Sequence, residues 1–134
     1  MDWKLEVIVV PVSDVDRAKH FYAEQVGFVV DVDHRMDNGM RVVQLTPPGS
    51  ACSITMGTGI AEGAPGSLKG VQLVVDDIEA AWAQLVERGV DVSPVRHIDA
   101  DGKWVDGKGE RWNSFLFFAD PDDNSWAVQE RPAE

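Results

Sequence analysis

Residues equipped for acid–base or metal chemistry are few and scattered in this sequence, which holds three histidines and one cysteine. His97 opens the run His97-Ile98-Asp99-Ala100-Asp101. An imidazole followed by two carboxylates at alternate positions could act as a His–Asp general base or clip a metal. His20 stands between Lys19 and Phe21 in a segment of helical periodicity and reads as a solvated helix residue, while His34 sits beside Arg35 at the end of a β-rich run. Cys52 is alone, so no intramolecular disulfide can form, and a reducing, cytoplasmic compartment is expected. There is no nucleophile elbow, phosphate-binding loop or cysteine motif. No catalytic residue is assigned. The aromatic signal is stronger: Trp104 and Trp112 share the stretch 96–113, a long connection of the kind that is functional or disordered in compact domains. Their indole rings could cap a flat ligand by stacking.

The elements that must position these residues repeat. Residues 5–12 are β-branched and short and predict a strand, with Pro11 at an edge or near its end. Ser13 or Asp14 caps a helix with Asp16 in its first turn, and Val15, Ala18, Phe21, Tyr22 and Val26 form its buried stripe up to Gly27. Residues 28–35 and 41–46 are strands joined by a turn at Asn38-Gly39, and 51–56 is the fourth. The Gly-rich residues 59–67 link to a second half in the same order. There the sequence predicts a strand at 70–75, an Asp76–Glu79 cap, and a helix burying Ile78, Ala81, Trp82 and Leu85 before Gly89. Strands follow at 90–95, 114–118 and 125–130. Asp14 with Asp77 and Val12 with Val75 both lie 63 positions apart, which marks an internal duplication.

At 134 residues the chain suits one domain, with modules at about 1–58 and 68–134. Twelve basic residues against 23 acidic ones give a net charge of -11, a field that repels nucleic acid and anionic lipid and can draw in a cationic ligand. The alternating charges of residues 1–6 do not resemble a signal peptide, and no apolar run approaches the length of a membrane span. Neither a nucleic-acid nor a membrane partner is expected.

The run from Val12 to Tyr22 with Gly27-Phe28, and the later Phe118-Ala119-Asp120-Pro121-Asp122-Asp123-Asn124, resemble signatures of the vicinal oxygen chelate superfamily. That superfamily includes glyoxalase I, extradiol dioxygenases, and fosfomycin- and bleomycin-resistance proteins. The resemblance covers nearly the whole chain and departs at Asp123, where glycine is usual. It implies an α+β fold of two βαβββ modules forming a curled mixed sheet, a cup with helices outside, and a homodimer. In the metalloenzymes of the superfamily, His or Glu from the first and fourth strands of each module hold a divalent metal. Those positions fall here on Val7, Gly70, the Ser53–Thr55 stretch and Ala127, which offer no usual ligand for such a metal. No metal or other cofactor is expected.

With the implied cup, strand alternation assigns its lining. Gln44, Ser53, Thr55, Gln72, Phe115, Phe117 and Gln129 are the candidate ligand-binding residues on the strands, with Trp104 and Trp112 above them. Amides, hydroxyls and two phenylalanines suit a weakly polar organic ligand and supply no strong acid–base chemistry. The expected function is metal-independent binding of a small molecule, as in the bleomycin-resistance branch, sequestering an aromatic or cationic compound. The alternative is a glyoxalase-like lyase, isomerase or dioxygenase with no metal or with an atypical site such as His97, Asp99 and Asp101. A third is an interaction module whose cup is closed.

Overall fold

The computed structural model describes residues 1–60 and 62–133. The chain divides into two compact units, Met1–Leu68 with Asp120–Asn124, and Lys69–Ala119 with the segment from Ser125 onward. Each is built on one βαβββ-like module, so the fold is α+β as expected. The strands hydrogen-bond as two sheets, one per module.

In the first unit β1 (Val7–Val9), β2 (Val29–Arg35), β3 (Arg41–Thr46) and β4 (Ser53–Thr58) form a sheet in the order β1-β4-β3-β2. β1 runs parallel to β4 and the rest are antiparallel. The strand expected at 5–12 is shorter, ending before Pro11, and the fourth begins at Ser53. Alternation sorts the side chains: Val43, Leu45, Ile54 and Met56 are buried on one face, while Val7, Val9 and Gln44 lie on the other. α1 (Val15–His20) is capped by Asp14, whose carboxylate accepts from Arg17 N at 3.1 Å. It then widens into a π-helical turn over Phe21–Val26 and closes at Gly27, whose φ of 97° suits glycine. The Gly27 amide reaches the Tyr22 carbonyl five residues back at 3.0 Å.

Two polar networks fix this unit. Arg41, buried at the start of β3, grips Asp33 through Nε and Nη2 at 3.0 and 2.9 Å and reaches Asp16 on α1 at 2.7 Å. Lys19 adds a 2.7 Å bond to Asp33. The guanidinium, then the ammonium, hold the Asp33 carboxyl well below the usual carboxylate range, and Asp33 with Asp16 raises Arg41. The second network is the turn 120–124. Asn124 is fully buried and donates through Nδ2 to Pro11 O and Asp120 Oδ2, both at 2.8 Å, while its Oδ1 accepts from Leu68 N at 3.1 Å. Asp120 Oδ2 also accepts from the Tyr22 hydroxyl at 2.7 Å. Asp123 adopts a φ of 70°, which explains why glycine is usual there.

The second unit orders β5 (Val71–Val75), β6 (Arg96–Ile98), β7 (Trp104–Asp106), β8 (Phe115–Ala119) and β9 (Ser125–Glu130) as β5-β9-β8-β6-β7. α2 (Ile78–Glu87) packs against β8 and β9, and Ile78, Leu85, Leu116, Phe118, Trp126 and Val128 make the core. Four sequence expectations change here. Asp77, not Asp76, caps α2, accepting from Ala80 N at 3.0 Å, while Asp76 pairs with Arg131. Trp82 is 38% exposed rather than core, its indole N–H donating to Ser93 O at 3.1 Å. Residues 90–95 make only a single bridge, Val92 to Phe118, because Pro94 lacks a donor. The stretch 96–113 is not an open loop but contains the β6–β7 hairpin.

Candidate functional site

The β8 and β9 register sets the face of the second sheet opposite α2. Phe115 pairs with Gln129, Phe117 with Ala127, and Ala119 with Ser125. β5 continues the rows, Gln72 beside Ala127 and Val74 beside Gln129. The hairpin turns back so that Trp104 leans over β8. Its ring meets Phe115 and Phe117 edge-on, with centroids 5.4 and 5.1 Å away, while the two phenylalanines lie parallel at 6.5 Å. Such a slot presents two ring faces and one ring edge, the geometry aromatic pairs favour. The Trp104 ring stays 48% exposed, so the cluster is accessible. From Phe117 an apolar hollow of about 390 Å³ runs past Ala119 and Ala127 to Gly70.

Polar groups border the slot on two sides. Gln72 Nε2 donates to Gln129 Oε1 at 2.6 Å, and Gln129 Nε2 donates to Trp112 O at 2.8 Å. Arg96, level with Phe115, pairs with Asp106 at 3.2 Å. Trp112 therefore enters through its carbonyl, held at a φ of 62° that is rare for so bulky a residue. Trp112 also lines a separate charged hollow of about 580 Å³ with Lys108, Glu110, Glu130 and Arg131. There Glu130, 3.0 Å from the Lys108 ammonium, raises the Lys108 pKa. Trp104 thus stands against Phe115 and Phe117, while Trp112 lines the charged hollow.

Gln44, Ser53 and Thr55 share the open face of the first sheet with Val7 and Val9. Two of the three are engaged within the fold: Ser53 Oγ lies 2.7 Å from Thr46 Oγ1, and Thr55 Oγ1 donates to Val43 O at 3.3 Å. Thr46 also donates to Asp31, which the bulge between Val30 and Val32 leaves out of register. Sequence reading missed Asp31 and Thr46, since a bulge has no compositional signal here. The Gln44 amide is the polar group of this face without a side-chain partner among the described residues.

The residues at the metal positions do not fit a metal. Val7 and Ser53 are direct neighbours, Gly70 and Ala127 line one hollow, and these residues bring no imidazole or carboxylate to either place. Among the described residues no three His, Cys, Asp or Glu groups lie close enough to hold an ion. The atypical set is spoken for locally. His97 Nδ1 faces Gly107 O at 2.9 Å, and Asp99 Oδ1 accepts from the amides of Asp101 and Lys103, closing the hairpin turn. Among the described residues no helix is long and apolar enough to cross a membrane.

Three comparisons place this geometry among known proteins. The family model of the glyoxalase/bleomycin resistance protein/dioxygenase superfamily matches residues 4–128. TnmS3, an antibiotic binding protein from Streptomyces sp. CB03234, is 34% identical over 97% of both chains, with a TM-score of 0.77. A glyoxalase/bleomycin resistance protein from the same organism is 35% identical over 94% of this chain and 99% of its own, with a TM-score of 0.74. A superfamily member from Sphaerobacter thermophilus DSM 20745 is 28% identical over 97% and 98% of the two chains, with a TM-score of 0.75. Among curated proteins none matches. The paired βαβββ modules, the family match over residues 4–128 and the two relatives above 30% identity agree, and the chain belongs to the glyoxalase/bleomycin resistance protein/dioxygenase superfamily.

Proposed function

We propose that this protein binds and sequesters a small aromatic compound without a metal, using the second unit's slot of Trp104, Phe115 and Phe117 as the recognition element. The carrying observation is the exposed edge-to-face cluster, open to one side and continuous with the apolar hollow at Phe117. A planar ring covering about 100 Å² of that surface would gain roughly 2.5 kcal/mol from burial alone. The amides of Gln72 and Gln129 orient such a ring. The antibiotic-binding relative supports the reading, since its chain matches this one end to end.

The net charge of -11 adds a preference for cationic ligands through long-range attraction rather than contact, because the hollow itself is lined by apolar residues. Titration with neutral phenazine and cationic proflavine, followed by tryptophan fluorescence at low and high salt, tests both parts. Saturable quenching by phenazine that is insensitive to salt, with proflavine tighter only at low salt, is expected. Absence of quenching by either probe would contradict the reading.

A further inference from the structure

The two glutamines beside the slot have a fixed direction. Trp112 O is a carbonyl and can only accept, so Gln129 must turn its nitrogen toward it, at 2.8 Å. Gln129 Oε1 then faces Gln72, which must present its own nitrogen, at 2.6 Å. The relay thus runs outward from a backbone carbonyl and ends on Gln72 Oε1, an acceptor with no partner among the described residues. Each donation along the relay polarises the next amide, so this terminal oxygen is a stronger acceptor than a lone glutamine carbonyl. Trp112 holds the origin of the relay by its left-handed backbone, at a φ of 62°.

Position gives that oxygen a target. Gln72, Ala127 and Phe117 form one row across β5, β9 and β8. Two strand spacings separate Gln72 from Phe117, roughly 10 Å. The small Ala127 side chain leaves the interval open, and a fused bicyclic ring spans most of it with one substituent at its far edge. Resting on the slot reading above, we infer that the site selects aromatic compounds bearing a hydrogen-bond donor, a phenol or aryl amine, at the edge facing β5, and that Gln72 Oε1 accepts from it. Gln129 is a positioning residue that fixes the Gln72 amide. A ligand without the donor would leave a polarised carbonyl covered and unpaired, which disfavours it.

The experiment compares 2-naphthol with 2-methylnaphthalene, nearly equal in size, on the whole chain and on Gln72→Met and Gln129→Met, with matching near-ultraviolet circular dichroism as the folding control. The expected result is about ten-fold tighter binding of 2-naphthol by the parent, equivalent to about 1.4 kcal/mol. Gln72→Met should lose that preference, because it removes both the acceptor for 2-naphthol and the covered carbonyl that disfavours 2-methylnaphthalene. Gln129→Met should reduce the preference, because the freed Gln72 amide turns over. Equal binding of both probes by the parent, or a preference that survives Gln72→Met, overturns the inference and leaves the aromatic slot standing. Failure of both probes to bind overturns the two together.

Discussion

Replacing Asn124 with alanine removes three hydrogen bonds at once and offers a test of what ties the 120–124 turn into the first unit. The side chain is fully buried and bonds Pro11 O, Asp120 Oδ2 and Leu68 N. Asp120 keeps its bonds from the Tyr22 hydroxyl and from the Asp122 and Asn124 amides, so its loss is small. Pro11 O loses that donor but keeps the Gly66 amide at 3.3 Å, which costs about 1 kcal/mol, and the part-buried Leu68 N–H, left without its acceptor, adds about 2 kcal/mol. The total is about 3 kcal/mol. For a chain of 134 residues the unfolding entropy is about 0.28 kcal/mol/K, so the midpoint should fall by roughly 10 °C. Asn124→Asp should be at least as damaging, because it turns an acceptor toward two acceptors. Urea and thermal unfolding followed by circular dichroism measure both. A loss below about 1 kcal/mol for Asn124→Ala, or an Asn124→Asp variant as stable as the parent, would refute the network's role.

Arg41→Met should cost about 2–3 kcal/mol, between the values for exposed and buried ion pairs, since Arg41 is buried but Asp16 is open to solvent; urea midpoints at pH 7 measure it. Because Asp33 titrates lower in the folded chain than its unfolded value of about 3.9, its stabilisation is complete above that pH and is lost as pH falls below it. The urea midpoint of the parent should therefore drop more steeply below about pH 4 than that of Arg41→Met. A Cβ at Gly109 would lie 2.4 Å from Asn113 O and 2.7 Å from the His97 Cβ, so Gly109→Ala should destabilise the hairpin region by about 1–3 kcal/mol and weaken phenazine binding through Trp104. Unfolding and titration of the same sample report both effects.

What was legible in the sequence was local. The Asn38-Gly39 turn forms as its composition dictates, with Met36 N on Met40 O at 2.8 Å. The glycines at 27 and 89 both take positive φ at the ends of the helices. Adjacent carboxylates at Asp76 and Asp77 gave no local means of choosing the cap, and the duplication, which matches Asp77 to Asp14, was the better guide. The β6–β7 hairpin was hidden because its strands are three residues each, too short for a period to register. Its turn is closed by Asp99, whose side chain had been weighed for chemistry. The ion pair that Arg41 makes with Asp16 joins β3 to α1, which no spacing within β3 can reveal. At the candidate site, alternation correctly grouped Gln72, Phe115, Phe117 and Gln129 on one face, since register within a sheet preserves that period. The part played by Trp112 was invisible, because a backbone carbonyl has no residue type.

The central claim, an aromatic ligand seated against Trp104, is tested most directly by following the five tryptophan indole N–H signals by NMR during titration with phenazine. The Trp104 indole and the side-chain amides of Gln72 and Gln129 should shift together and saturate. The signal of Trp82, whose N–H is held by Ser93 O, should stay in place. Saturable binding that leaves the Trp104 indole unmoved would contradict the assignment of the site.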